Sequence, residues 1–237
     1  MVIINKEKEI KLYIAGGKCF SNYANWICND DFYNKFTIDE TSNIENANIV
    51  LLAGGSDISP DLYQENKHIK TSCSNISRDL EELVTINYAI KNNIPIIGIC
   101  RGAQLLCVVA GGKIVQNMHH EFYHDIYWYN FTEKKMSGNA SMHVNSMHHQ
   151  LQYPYSISQE DYEILAYTHQ IKTTEDIDIG DNSIISKSLI IKKGEPEIVW
   201  YKKIKGLAIQ YHPEALNDDL SLLYTKKCLL NKILSLC

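Results

Sequence analysis

No Cys-x-x-Cys pair occurs in this chain, although it has seven cysteines: Cys19, Cys28, Cys73, Cys100, Cys107, Cys228 and Cys237. An odd count without paired spacing argues against a disulfide framework or a zinc ribbon and fits a reducing compartment. Basic blocks are missing as well, and the formal net charge is -5. That balance speaks against nucleic acid or an anionic membrane as the main partner. The opening residues, MVIINKEKEIKLYIAGG, lack the charged, then apolar, then small plan of a signal peptide. The longest apolar stretch, residues 94–112, is broken by Arg101, Gln104 and glycines. It reads as a buried strand followed by a buried helix, not as a membrane span. Repeats, low-complexity tracts and linkers are absent too. These absences together lead us to expect a cytoplasmic protein with no membrane attachment.

What is present is an ordinary globular composition, 45% hydrophobic and 22% charged over 237 residues. Without a linker, one domain over residues 1–237 is the simplest reading. Residues 10–15, the run IVLLA at 49–53 and residues 96–99 read as strands. The last two are continuously apolar, as expected when both faces are covered. Residues 22–33 read as weakly helical. Asp79 with Glu82 three residues later reads as a capping box opening a helix, with Leu80, Leu83, Val84 and Tyr88 as its inward stripe. Residues 103–110 form a helix stopped by Gly111-Gly112. Residues 115–160 read as loop-rich. Residues 184–192, 196–202 and 206–210 read as strands in hairpin order, and 218–236 as a closing helix. Strands alternating with helices predict a mostly parallel α/β sheet. In such a sheet the chemistry gathers at the carboxyl ends of the strands, where Gly16, Gly54 and Cys100 would lie.

One cysteine sits in a special frame, Gly-Ile-Cys-Arg-Gly at 98–102. A turn sharp enough to lift one side chain above a sheet crowds its neighbours, and Gly98 and Gly102 relieve the crowding. The helix that follows aims its amino terminus at the sulfur, which favours thiolate, the reactive form. The Arg101 N–H is placed to support an oxyanion. This is the plan of a nucleophile elbow. Taken alone, the frame is equally a tight turn around a small buried residue. A thiol nucleophile needs a proton shuttle, and GLAIQYHPE at 206–214 offers one. His212 and Glu214 share a side of the extended chain across Pro213, so Glu214 can orient one imidazole nitrogen and leave the other for the sulfur.

The motifs GICRGAQLL, AGGKIVQ, VNSMHHQ (144–150) and GLAIQYHPE, with GGSDISPDLY (54–63) and RDLEELV (78–84), resemble the class I glutamine amidotransferase superfamily. The likeness is greatest to its γ-glutamyl hydrolase-like branch. It covers residues 49 to 216. The resemblance implies a flavodoxin-like α/β/α sandwich and a triad of Cys100 (nucleophile), His212 (base) and Glu214 (orienter). It implies an oxyanion hole from the N–H groups of Gly55 and Arg101, with Gly54, Gln104, Asn145, Ser146 and His148 on the substrate side. The implied reaction cleaves a γ-glutamyl amide, needs no metal or cofactor, and takes a small γ-glutamyl compound or glutamine as substrate. Two fates of the amine stay open: a stand-alone hydrolase, or a glutaminase feeding a separate synthetase subunit. A binding protein on the same scaffold and a homodimer are further alternatives. Segments 19–40 and 120–140 depart from the branch pattern and would border the pocket mouth. His120 and His124 have the i,i+4 spacing of a metal pair, but no helical pattern surrounds them. The Arg101 side chain could meet a substrate carboxylate or a neighbouring acid, and Cys107 reads as core.

Overall fold

The computed structural model describes residues 8–15, 21–28, 36–72, 74–119, 121–179, 183–216 and 218–237. Its strands are β1 (Lys8–Ala15), β2 (Phe36–Thr41), β3 (Ile49–Leu52), β4 (Ile96–Ile99), β5 (Lys113–Val115), β6 (Asn117–Met118) and β7 (Tyr123–Asn130). They continue with β8 (Lys135–Met136), β9 (Met142–Asn145), β10 (Leu151–Tyr153), β11 (Tyr162–Thr168), β12 (Ile177–Asp178), β13 (Glu195–Tyr201) and β14 (Gly206–Ile209). The helices are α1 (Ser21–Asn25), α2 (Ile76–Lys91), α3 (Arg101–Val109), α4 (Lys187–Lys193) and α5 (Asp219–Lys232).

The central sheet runs β2-β1-β3-β4-β14-β13-β11-β7-β8, with β9 added on β7. From β2 to β14 every pairing is parallel. From β13 onward the sheet is antiparallel. The parallel half follows from its continuous apolar runs. In β3, Ile49 and Leu51 enter the core shared with α1 and α5, while Val50 and Leu52 enter the core shared with α2 and α3. Each fully buried aliphatic side chain contributes about 1.5–3 kcal/mol. A strand that is apolar at every position is therefore stable only between two helical layers. The result is the expected three-layer α/β/α arrangement. A satellite core under α4 joins Val115, Met118, Leu151, Tyr153, Ile177 and Ile190.

Several local expectations are corrected. The 115–160 region, expected to be loop-rich, has long connections but also carries β6 to β10, and β7 shows a half-buried alternation over His124 and Ile126. Residues 187–193 are helical rather than extended. The Ser186 side chain caps α4 by accepting from the Leu189 N–H, and Lys192 and Lys193 sit in its last turn. Helix α2 begins at Ile76 with Asn75 as its cap, four residues ahead of the expected cap Asp79. Its inward face is also turned: of the expected stripe Leu83 packs on the core and Tyr88 is half-buried, but Leu80 and Val84 face solvent, whereas Asp79 and Glu82 are buried. The reason is Arg101 on α3, whose fully buried guanidinium needs both carboxylates. The expected edges at 10–15, 49–53, 96–99, 196–202 and 206–210 agree with β1, β3, β4, β13 and β14 to within two residues. Within the expected 22–33 helix, α1 ends at Asn25, residues 26–28 form a turn, and 29–33 lie outside the described residues. Gly16 also lies outside them. No helix of the described residues is long and apolar enough to cross a membrane.

Candidate active site

Sheet register brings three loops to one point. β4 lies between β3 and β14, both parallel to it, with Leu52 beside Gly98 and Ile209 beside Ile99. The carboxyl ends of all three strands therefore finish together. Two residues past Leu52 comes Gly54, one past Ile99 comes Cys100, and three past Ile209 comes His212. No local sequence signal requires this meeting; it follows from three adjacent parallel strands.

Cys100 stands between β4 and α3 with φ 51° and ψ -105°. A non-glycine residue in that region is strained and persists only where its surroundings impose it. Its N–H donates to the Ile209 carbonyl at 2.8 Å, and its carbonyl accepts from the Gln104 N–H at 3.1 Å. The flanking glycines are there for space: a Cβ at Gly98 would overlap the Gly102 carbonyl, and one at Gly102 would overlap the Leu52 carbonyl. Cys100 is 6% exposed, so the thiol is largely covered by the groups that meet it. Among these is His212, whose ring lies close enough for Cys100 to raise its pKa. On its other side, His212 Nδ1 lies 2.6 Å from Glu214 Oε1. Glu214 reaches it from a single 3-10 turn, Pro213–Ala215, for which His212 is the extended first residue. Burial, the largest single influence, pulls the His212 pKa down. Cys100 and Glu214 together outweigh burial and push it up to about 10. The ring is therefore an imidazolium at neutral pH, held between a sulfur and a carboxylate.

Gly54 fills the gap between these groups. A Cβ there would lie 2.8 Å from His212 Cε1, 2.9 Å from Tyr23 Oη and 3.5 Å from Cys100 Cβ. Tyr23, which sequence reasoning missed, accepts the Gly54 N–H at 3.2 Å, and Glu214 beside it adds to burial in raising its pKa. It arrives from α1, outside every motif, and nothing in its own stretch of sequence announces it. Gly55 follows with φ +148° and is exposed.

The other expected site residues surround this centre in different roles. Asn145 commits its whole amide to the base. Its Oδ1 accepts the His212 N–H at 2.8 Å, and its Nδ2 donates to the His212 carbonyl at 2.9 Å. It thus clamps the histidine backbone rather than facing a ligand. Gln104 Nε2 donates to the Gln150 carbonyl at 3.1 Å. The same carbonyl accepts from His148 Nδ1 at 2.9 Å. Since a carbonyl can only accept, Nδ1 carries a proton, and Nε2 lies 3.1 Å from the Ser146 hydroxyl. The Arg101 side chain, for which two partners were open, is 1% exposed and paired with the neighbouring acids Asp79 and Glu82. Cys107 is core, as expected, and burial pushes its pKa up to about 12.

Beside the centre, His149 Nε2 contacts Asp57 at 3.1 Å. Its pKa is raised first by that hydrogen bond, against the opposing effect of burial. Burial would raise the Asp57 pKa, but His149 and Ser72 hold it below the usual carboxylate value. His120 lies outside the described residues. Among the described residues, no group of three or more His, Cys, Asp or Glu could hold a metal ion.

A strained cysteine beside an imidazole–carboxylate pair, at the carboxyl edge of the parallel half of a flavodoxin-like sheet, is the arrangement that the resemblance to class I glutamine amidotransferases implies. A family model for Peptidase C26 matches residues 36–214, and the chain belongs to that family. A glutamine amidotransferase-like protein, YvdE, of Lactococcus lactis subsp. lactis is 30% identical over 183 residues, covering 75% of this chain and 72% of that protein. The γ-glutamyl-CDP-amidate hydrolase of Campylobacter jejuni is 32% identical over 91 residues, 38% of this chain and 40% of that one. Among solved structures, a glutamine amidotransferase from Thermotoga maritima superposes with a TM-score of 0.51 at 14% identity, covering 95% of this chain and 83% of that one. At that identity the likeness is one of fold.

Proposed function

We propose that the protein is a stand-alone, cysteine-dependent hydrolase of a small γ-glutamyl amide. One observation carries the reading. Cys100, strained at the end of β4, stands across the Gly54 gap from His212, whose imidazolium Glu214 holds from the other side. The hydrolase family and the γ-glutamyl-CDP-amidate hydrolase among the relatives support the substrate class.

The Cys100 thiolate attacks the γ-carbonyl carbon, and the C=O electron pair moves onto oxygen. The N–H groups of Gly55 and Arg101 receive that oxyanion; one such donor is worth about 3 kcal/mol of barrier. The Arg101 N–H is available because the first N–H groups of a helix have no partner within it. Collapse of the intermediate breaks the C–N bond as His212 gives its proton to the departing amine. A γ-glutamyl thioester is left on Cys100. His212, now neutral, takes a proton from water, which attacks the thioester and releases glutamate. Glu214 keeps the ring oriented throughout, and Asn145 fixes the backbone from which the ring projects.

The test is release of glutamate from glutamine and from a panel of γ-glutamyl amides by the isolated protein, with Cys100→Ala as control. Turnover of amides larger than glutamine, lost in the variant, is the expected result. Turnover of glutamine alone, and only after a synthetase is added, would replace this reading with that of a glutaminase subunit. No turnover of any member would refute the enzyme reading.

A further inference from the structure

Next to the elbow lies a buried ionic cluster for which the proposed chemistry has no use. Arg78 and Arg101 meet Asp79 and Glu82, and three of these four side chains are at most 1% exposed. Arg101 sits directly after Cys100 and pairs with both acids. Glu82 also takes Arg78 Nε at 2.8 Å. The second carboxylate oxygen of Asp79 accepts the Ser59 N–H at 3.0 Å. The loop after β3, the elbow and α2 are thereby bolted to one another through charge.

Arg78 has a further contact that a purely structural ion pair does not need. Its Nη2 donates to two successive carbonyls, Ala53 at 3.1 Å and Gly54 at 3.0 Å. In a trans peptide the C=O and N–H point in opposite directions, and no cis bond occurs among the described residues. A guanidinium that holds two successive carbonyls on one side therefore turns the two following N–H groups to the other. The Gly54 N–H shows which side that is: it points to Tyr23 Oη, on the side of the Glu214 carboxylate. Two neighbouring N–H groups aimed one way make a concave anion site. The first is already taken by Tyr23, so the Gly55 N–H is the one left for an incoming anion. Gly55 has to be glycine here, because its φ is +148° and a Cβ would overlap Arg78 Nη1.

We propose that Arg78 is a positioning residue that locks the Gly54–Gly55 peptide with its N–H turned toward Cys100. The oxyanion hole is thereby assembled in the isolated chain, without a partner. This rests on the hydrolase reading above and supplies its reason for autonomy: the anchor of the loop is internal. Lysine keeps the charge at 78 but cannot bind two carbonyls and Glu82 in one plane.

The experiment compares wild type with Arg78→Lys and Arg78→Ala in two reactions. One is hydrolysis of the best γ-glutamyl amide, which needs the oxyanion hole. The other is alkylation of Cys100 by iodoacetamide, a displacement at carbon that forms no oxyanion. The expected result in both variants is a fall in kcat of about 10²–10³-fold, with KM within about threefold of wild type. Alkylation rates should stay within about twofold, and guanidinium chloride at millimolar levels should partly restore Arg78→Ala. Alkylation falling in step with kcat would overturn the lock and leave Arg78 as a support of the fold. A kcat within about threefold of wild type would overturn it as well. Should Arg78→Ala fail to fold, Arg78→Lys alone decides between these outcomes. Absence of wild-type turnover would instead refute the hydrolase reading on which the lock depends.

Discussion

Replacing Gly54 with alanine tests the meeting of nucleophile and base with a single methyl group. Gly54 does not have a left-handed φ, so alanine suits its backbone and the effect is one of space. The new Cβ would lie 2.8 Å from His212 Cε1 and 2.9 Å from Tyr23 Oη. Carbon atoms settle no closer than about 3.4–3.5 Å, so the imidazole has to retreat by about 0.6 Å. The Glu214 carboxylate and the Asn145 clamp resist that retreat, and the ring therefore tilts away from the sulfur. Misplacement by about 1 Å costs on the order of 10²-fold in rate, so we expect kcat/KM to fall about 10–10²-fold. The stability cost should stay near the low end of overpacking, about 1 kcal/mol, because the methyl enters a site whose side chains can shift. That corresponds to a Tm lowered by about 2–4 °C. Steady-state glutamate release, a thermal melt and iodoacetamide alkylation are the assays. In contrast to the Arg78 variants, alkylation should slow along with hydrolysis, since the imidazolium beside the sulfur is itself displaced. Unchanged kcat/KM and alkylation in a folded Gly54→Ala protein would refute the reasoning, because the base and the thiol would then not act across this gap.

Two further perturbations concern protons. The His212 pKa is raised to about 10, so its imidazolium, the donor to the leaving amine, is lost as pH rises through that value. The rate of thioester formation should have an alkaline limb near pH 10, and Glu214→Gln, which removes one of the two raising partners, should move it to lower pH. The same shift makes His212 a stabilising group whose contribution is complete below its ordinary value of 6.5 and disappears as pH rises through about 10. Glu195 in β13 is the opposite kind of acid, its carboxyl pushed up to about 7, first by burial and then by Glu197. The native state then holds a proton that the unfolded chain releases from about pH 4.5 upward, so stability falls between 4.5 and about 7. Glu195→Gln keeps an acceptor for the Ile171 N–H and should flatten the decline of Tm across that window; an unaltered decline would assign it to other groups.

Some of this molecule is written locally and some is not. The continuous apolar runs at 49–53 and 96–99 announce covered parallel strands, because nothing else tolerates apolar side chains on both faces. Gly98, Cys100 and Gly102 announce the elbow, and His212 with Glu214 announces the pair that faces it. The inward side of α2 was not legible. By hydrophobic pattern Leu80 and Val84 belong inside, and the buried charge of Arg101, twenty residues away, overrides that pattern by drawing in Asp79 and Glu82. Tyr23 was not legible either, since Gly54, whose N–H it accepts, and Glu214 beside it come from distant stretches of the chain. The Ser186 cap and the two lysines closing α4 were readable signals, masked by the β-branched pair Ile190–Ile191. Asn145 was read from a motif as facing substrate, and its two bonds to the His212 backbone place it one step behind.

The central claim is that Cys100 carries an acyl group during turnover. Intact-mass measurement after rapid acid quenching of the protein with a γ-glutamyl amide tests it most directly. A mass increase equal to one γ-glutamyl group, present in wild type, absent in Cys100→Ala and located by fragmentation on the peptide containing residue 100, is the predicted result. Release of glutamate by Cys100→Ala at the wild-type rate, with no adduct on either protein, would contradict the account.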